Sequence, residues 1–349
     1  MDTLKDSIEF DHHIRIVPVE NTSVGLKGYI AIHRKIEGQP SLGATRLWKY
    51  EKDSDALDDA LRLAHLMSYK SMASGFSYGG AKATLIYPEG GIQDKHAYFK
   101  AYTNYVNELH GDFVTGSDVG MSPEDVQLMS SFSPYIVGSN VRSNYFTSLG
   151  VLYAIQVVLQ DMFDSPDVSN RTFAIQGVGN TGSNLLRLLI KHGAKNIYIS
   201  DINEEVLKKL QHEFPFLIII PTQDIHKQKV DVFSPCALSH AINTKTIHEL
   251  DCLAIVGSAN NQLESRNMGD MLHEKGIIYV PDYIANSGGL ISVADQYEHG
   301  EADDNRIVKK LDQLKSTVED LILRRKKDKE VTHILADKMM EERLSALLN

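Results

Sequence analysis

Gln176-Gly177-Val178-Gly179-Asn180-Thr181-Gly182 decides the fold of this chain. Behind it, Thr172-Phe173-Ala174-Ile175 has the β-branched and aromatic residues of a strand. Ahead of it, Gly182 to His192 has helical spacing closed by Gly193. A G-x-G-x-x-G run between strand and helix is a dinucleotide turn: the first glycine bends the chain, the second admits a pyrophosphate, and the third lets helix pack on strand. The helix N-terminus, with Val178, Asn180 and Thr181 between the glycines, then faces the phosphates with free amides. Asp201 ends the next strand, 24 residues after Gly177. A carboxylate there binds the ribose hydroxyls and repels a 2′-phosphate, so NAD is the expected cofactor rather than NADP. Ile202, beside it, joins the cofactor candidates.

Further strands are expected at 217–220, 230–233, 252–256 and 277–280, most of them separated by helical stretches. Alternation of strand and helix implies a parallel, doubly wound sheet, whose ligands lie outside the carboxyl ends of the strands. The small or uncharged turns at those ends carry Cys236, Ala237, Ala259, Asn260, Asn261 and Asn286, which suit a nicotinamide and its ribose. Asn286 is the candidate for holding amide and substrate together. This texture begins near Thr147, itself a cofactor candidate, so a Rossmann NAD-binding domain is expected over 148–325. Residues 1–147 mix strands and helices without a dinucleotide signal. They are expected to form an α/β substrate-binding, catalytic and oligomerisation domain, with a cleft between the two domains and the C-terminal helix 326–349 packing back on the first. Within it, strands are expected at 14–17, 29–33 and 83–87. Helices are expected from near Ser54 through Met67, over 94–109, and from Ser122, where Pro123 and Asp125 complete a capping box.

A chain of 349 residues exceeds one ordinary core, which agrees with two domains. Its net charge of −10 argues against a general nucleic-acid binder. No apolar run approaches the roughly 20 residues of a membrane helix. The start, Met1 to Asp6, is polar and acidic and does not read as a leader. Two cysteines, Cys236 and Cys252, fit a reducing cytoplasm. The expectation is a cytoplasmic protein without membrane or nucleic-acid partners. No His/Cys cluster has metal spacing, so no metal is expected.

Met67-Ser68-Tyr69-Lys70 is followed, twelve residues after its lysine, by Gly79-Gly80-Ala81-Lys82. Two lysines crowded in a pocket of small residues repel, and desolvation adds to the effect. Both push an ammonium toward its neutral form. A neutral lysine is a base, and a charged one beside it can hold a carboxylate. Lys70 reads as a loop residue after the first helix. Asp118, in Thr115-Gly116-Ser117-Asp118-Val119-Gly120, reads as part of a glycine-flanked loop and is the third ionisable candidate.

The stretches Leu42-Gly43-Ala44-Thr45-Arg46, Ala60 to Lys82, Thr115 to Asp125, Gln176 to Gly182, Ser234 to Leu238, Gly257 to Leu263 and Pro281 to Asp295 follow one family's order. The chain resembles the glutamate/leucine/phenylalanine/valine dehydrogenases, most of all the short leucine/phenylalanine type, over most of its length. The resemblance implies NAD-dependent, reversible oxidative deamination of an L-amino acid to its 2-oxo acid, ammonia and NADH. It implies that Lys70 binds the substrate carboxylate, that Lys82 activates the water attacking the imine carbon, and that Asp118 passes protons to and from the substrate nitrogen. It also implies a homo-oligomer assembled through the N-terminal domain.

Glutamate-type members need a lysine where Leu42 stands, so Leu42, with Gly43 and Met67, indicates an apolar side chain. Ile291 is a further substrate-binding candidate. Gly116 stands where leucine-type members tend to carry alanine and phenylalanine-type members glycine, which leans toward a larger, aromatic substrate. The chain departs from the family in two places. Ala81 replaces a third glycine before Lys82, where a methyl can displace the lysine, and residues 137–146 lack the usual glycine/proline-rich loop. Two other readings stand beside the main one: an aromatic amino acid dehydrogenase dedicated to a biosynthetic pathway, and a degenerate NAD-binding member without enzymatic activity.

Overall fold

The computed structural model describes residues 7–139, 141–237 and 239–348; the start at Met1 to Asp6, and Asn140 and Leu238 within the stretches quoted above, lie outside the described residues. The chain forms two compact units. The first holds the residues up to Val141, Val293–Asp303 and those from Glu341 on; the second holds Arg142–Ser292 and Asp304–Met340. The change of texture near Thr147 therefore has its structural counterpart at Val141 and Arg142. Of the segment 326–349, only the part from Glu341 groups with the first unit, where Glu341 accepts from the Tyr69 hydroxyl at 3.2 Å and Arg343 donates to Met72 O at 3.2 Å.

Among the described residues, the first unit is built on β1 (Arg15–Asn21), β2 (Leu26–Ile32), β3 (Ser41–Trp48), β4 (Gly79–Ile86) and β5 (Phe113–Ser117), in the order β1-β2-β4-β3-β5. The β1, β2 and β4 pairings are antiparallel; β3 runs parallel to β4 and β5. Three helices accompany the sheet: α1 (Asp53–Ala73), α2 (Lys95–Asn107) and α3 (Pro123–Ser130). The capping box of α3 is present, with Ser122 Oγ accepting from Asp125 N at 3.2 Å and Asp125 Oδ2 from Ser122 N at 3.0 Å.

Strand alternation gives the sheet two different faces. Ala81, Ala83 and Leu85 of β4 pack with Tyr98, Phe99 and Tyr102 of α2 and with Phe113. Residues Gly80, Lys82 and Thr84 alternate with these and face α1, where Thr84 Oγ1 donates to Ala56 O and Gly80 N to Ser68 Oγ, both at 2.8 Å. Two local readings change as a result. Lys82 lies inside a strand that begins four residues before the expected start, and Lys70 lies in the last turn of α1 rather than in a loop. Strand β3, with Ser41, Gly43 and Ala44 among its residues, has little strand propensity of its own; pairing with β4 on one side and β5 on the other makes it a strand.

The second unit follows the order α4 (Ser143–Phe163), β6 (Thr172–Gln176), α5 (Asn180–Lys191), β7 (Asn196–Ser200), α6 (Glu204–Glu213), β8 (Ile218–Ile219), β9 (Val230–Pro235), β10 (Cys252–Ile255), α7 (Arg266–Glu274), β11 (Ile278–Tyr279) and α8 (Asp282–Ala285). The helices α9 (Gly288–His299), α10 (Asp304–Asp328) and α11 (Thr332–Leu348) complete the chain. The sheet is parallel throughout, in the order β11-β10-β9-β6-β7-β8. Successive strands thus spread both ways from β6, the doubly wound arrangement with its switch point beside the Gly177 turn. Contrary to the expectation that no apolar run approaches membrane-helix length, the 21-residue α4 could cross a membrane by length and composition, but 61% of its apolar window is buried, and it packs on α5 and α10.

Gly43 shows how tightly the first sheet is drawn. A Cβ there would lie 1.9 Å from Ala81 O and 3.1 Å from the Phe113 ring. Gly43→Ala must therefore push β3 from β4 and is expected to destabilise the first unit by about 1–3 kcal/mol or more. Trp48, the sole tryptophan, sits at the end of β3 and reports this unit alone in urea-unfolding fluorescence. An unchanged Trp48 transition would contradict the close pairing.

Candidate active site

The first cluster lies on the α1 side of the first sheet. Residues paired across strands point the same way, so Ala31↔Lys82, Leu42↔Gly80, Arg46↔Thr84 and Ala44↔Gly116 share one face. Helix α1 comes down directly on Gly80, where a Cβ would meet Ser68 N at 2.1 Å and Ala64 O at 2.3 Å. Only a glycine admits that approach.

Lys82 is 5% exposed, and its Nζ lies 2.6 Å from Asp118 Oδ2. Arg46 Nε donates to the same oxygen at 3.0 Å, while its Nη1 donates to Asp59 Oδ2 at 2.7 Å. Asp59 is held in turn by the Tyr50 hydroxyl at 2.8 Å and by Arg62 Nη2 at 2.6 Å. Burial pushes the Lys82 ammonium below its ordinary value; Asp118 opposes this, and Arg46 adds to the lowering. Burial pushes Asp118 up, but Lys82 and then Arg46 outweigh it and hold its carboxyl down to about 2. The cluster joins a carboxylate to a lysine whose proton is loosened.

Arg46 supplies the cationic neighbour of Lys82 that the sequence reading assigned to Lys70. Lys70 is half-buried in the last turn of α1, with its carbonyl accepting from Ser74 N and Oγ. The methyl of Ala81 packs with the α2 core, on the side of β4 opposite Lys82, so strand alternation removes the expected displacement. Leu42 is 2% exposed on the Lys82 face, and Met67 is half-buried on α1. Gly43 belongs to the opposite row and offers only main chain to this face.

At Gly116 a Cβ would lie 3.0 Å from Val137 O. The cause is the segment 135–137, which runs beside β5: Thr115 N donates to Tyr135 O and Val137 N to Thr115 O, both at 2.9 Å. Val137, the first residue of the departing stretch 137–146, thus borders Gly116.

The second cluster surrounds the Gly177 turn. Gly177 has φ +90°, and a Cβ there would strike Ala237 at 2.6 Å; one at Gly182 would lie 1.9 Å from Gly177 O. At Gly179 a Cβ would meet nothing within 4 Å, and α5, which begins there, has no side-chain cap. Open space over an uncapped helix N-terminus fits a pyrophosphate. Asp201 Oδ2 accepts from Val178 N at 2.8 Å and Oδ1 from Asn203 N at 2.9 Å, so the carboxylate is fixed beside the turn, next to the exposed Ile202. Thr181 Oγ1 donates to Asn144 Oδ1 at 3.3 Å, and Thr147 stands on the first turns of α4.

Cys236 N donates to Gln176 O at 2.8 Å, and burial pushes its thiol up. Ala259 N donates to Pro235 O at 3.0 Å; Asn261 O accepts from His240 N at 2.7 Å. Asn286 is 2% exposed and donates to Asn260 Oδ1 at 2.8 Å and to Ser258 O at 3.2 Å. Its Oδ1 is buried with no partner among the described residues, an acceptor waiting for an amide or ammonium. Ile291 is buried on α9.

Sequence reasoning missed Arg46 as an actor, together with Asp59 and Tyr50. Arg46 lay inside a quoted stretch, but nothing local said which carboxylates it would reach. Asp59 pairs with Arg62 three residues on along α1, a local contact that gives no sign of its second link to Arg46. The fold also gathers Asp11, His33 and His65, whose donor atoms lie within 4.8 Å of one another and which are far apart in sequence. Arg34 stands 3.6 Å from the shared Asp11 oxygen, and His33 Nδ1 is engaged with Ser68 Oγ at 2.8 Å.

Known proteins match along the whole length. The family described as Glutamate/Leucine/Phenylalanine/Valine dehydrogenase matches residues 138–343, and the Glu/Leu/Phe/Val dehydrogenase dimerisation domain matches residues 10–133. A leucine dehydrogenase from Geobacillus stearothermophilus is 36% identical over 99% of this chain and 94% of its own. A phenylalanine dehydrogenase from Lysinibacillus sphaericus is 40% identical over 82% of this chain and 77% of its own. The crystal structure of an L-tryptophan dehydrogenase from Nostoc punctiforme superimposes with a TM-score of 0.83 at 32% identity, covering 96% of both chains. With these matches over nearly its whole length, and with the expected parallel, doubly wound sheet in its second unit, the chain belongs to the glutamate/leucine/phenylalanine/valine dehydrogenase family of amino acid oxidoreductases.

Proposed function

We propose that this protein catalyses the NAD-dependent, reversible oxidative deamination of an apolar L-amino acid. The observation that carries the reading is the buried Lys82–Asp118 pair, a base and a proton carrier 2.6 Å apart on one sheet face. NAD, when bound, takes up the hydride from the substrate Cα. Overall, amino acid, NAD+ and water give 2-oxo acid, ammonium, NADH and a proton.

The chain's own groups divide the remaining work. Lys70 holds the substrate carboxylate by charge. Asp118, an anion at all working pH values, takes a proton from the substrate nitrogen and later returns it to the departing ammonia. Lys82, its proton loosened by burial, draws a proton from the water that attacks the imine carbon. Leu42 and Met67 offer apolar surface to the side chain. In the second unit, the Gly177–Gly182 turn and the start of α5 hold the pyrophosphate, Asp201 the ribose hydroxyls, and the Asn260–Asn286 pair the nicotinamide end. The relation of the first half to a domain described by dimerisation supports a homo-oligomer assembled through the first unit.

Three outcomes test the reading. NADH formation at alkaline pH across a panel of L-amino acids should be strong for apolar ones and absent for glutamate, and Lys82→Ala should lower kcat by about 10²–10⁴-fold. Activity that survives in Lys82→Ala would sink the mechanism. Asp201→Ser should raise the NADP/NAD ratio of kcat/KM about tenfold or more, through loss of the carboxylate that repels the 2′-phosphate; an unmoved ratio contradicts that role. Gly116→Ala presses a methyl toward Val137 O, so it should disfavour phenylalanine relative to leucine by roughly tenfold. A wild-type preference for valine or leucine over phenylalanine would reverse the lean toward aromatic substrates.

A further inference from the structure

Asp118 receives two cations on one oxygen, Lys82 Nζ at 2.6 Å and Arg46 Nε at 3.0 Å. Arg46 is not free to leave, because its Nη1 is tied to Asp59 Oδ2 at 2.7 Å, and Asp59 is itself pinned by Tyr50 and Arg62. Signs therefore alternate along a chain: Lys82, Asp118, Arg46, Asp59, Arg62. All but Arg62 are no more than 15% exposed at the side chain, so solvent screens their mutual forces weakly. A carboxylate locked one-to-one on Lys82 would keep the lysine's proton and have no freedom to serve the substrate nitrogen. Dividing the carboxylate between two cations relaxes that lock.

We propose that Arg46 is a positioning residue that holds Asp118 partly away from Lys82, and that Asp59 governs how strongly it does so. This rests on the reading of Lys82 and Asp118 as the reacting groups. The two outer residues act in opposite directions. Loss of the Arg46 charge leaves Asp118 to Lys82 alone and removes a like charge, so the lysine holds its proton longer. Loss of the Asp59 charge frees Arg46 for Asp118 and removes an anion, so the lysine gives its proton up sooner. The other charged or titratable groups near the chain are Tyr50 and Arg62, which hold Asp59, and Asp58, His65, Tyr69 and Lys70 on α1. The substitutions leave all of these side chains in place, and in Asp59→Asn Tyr50 can donate to the amide oxygen as it does to the carboxylate.

The experiment is the pH dependence of kcat/KM for oxidative deamination, whose rising limb reports the base of the free enzyme. Arg46→Gln should move that limb up by about one pH unit, and Asp59→Asn should move it down. Arg46→Lys keeps the charge but cannot bridge two carboxylates, so its limb should stay near the wild-type position while kcat falls at least tenfold. Limbs that stay put in both Arg46→Gln and Asp59→Asn, or that move the same way, overturn the proposal, since a merely structural role lowers activity without an opposed shift. If Arg46→Gln fails to fold by Trp48 fluorescence, the direction of the Asp59→Asn limb decides alone: downward supports the proposal, and stationary or upward overturns it. Lys82→Ala run alongside separates the two failures. Inactive Lys82→Ala with stationary limbs overturns only the role of Arg46, whereas active Lys82→Ala overturns the reading of the site beneath it.

Discussion

An ammonium taken out of water needs a counter-charge, and the first unit is arranged around that need at Lys82. Glycine at position 80 lets α1 settle on β4 and so walls the lysine off from solvent. The burial is tolerable only because Asp118 meets it, and Asp118 is placed by the end of β5. Asp118 brings Arg46, and Arg46 brings Asp59, each answering the charge before it. One desolvated group thereby stands at the head of a line of charges drawn from β3, from the residue after β5 and from α1. The opposite face of the same sheet carries the apolar packing of α2 and no share of this charge.

The two halves were legible in the sequence to different degrees. The second declared itself through a local pattern: strand, glycine turn, helix and an acid at the next strand end all lie close along the chain, and they appear where the pattern put them. In the first half, the ionisable residues were visible but their relations were not. Lys70 and Lys82 looked like partners because they are near in sequence, yet the strong partner of Lys82 stands just past the end of β5 and its cationic neighbour on β3. Strands such as Leu42-Gly43-Ala44-Thr45 carry too little propensity to announce themselves, and pairing across the sheet, which sequence periodicity does not record, is what brings Arg46 beside Asp118. Ala81 shows the reverse error, since adjacency along a strand means opposite faces of a sheet.

The second cluster complements the first in chemical character. Around Lys82 nearly every polar atom is already engaged in an ion pair, which makes the site stiff and charged. Around Gly177 the main chain is left open at Gly179 and α5 is uncapped, while Asn286 keeps an unsatisfied acceptor. A surface with unmet hydrogen bonds is one completed by a ligand, and a site with its charges balanced internally is one that can trade protons without rearrangement.

The division of the chain into units has a consequence for how the protein is made. The first unit is not a continuous stretch: it borrows Val293–Asp303 and the residues from Glu341 on, with Gln296 accepting from Gly138 N at 2.7 Å and Arg343 reaching Met72 O. The polypeptide thus leaves and re-enters this unit twice. During synthesis, its sheet emerges from the ribosome before the segment that closes it, while the second unit, itself finished late by α10 and the first part of α11, is threaded between. The half with the buried charges is begun first and completed last.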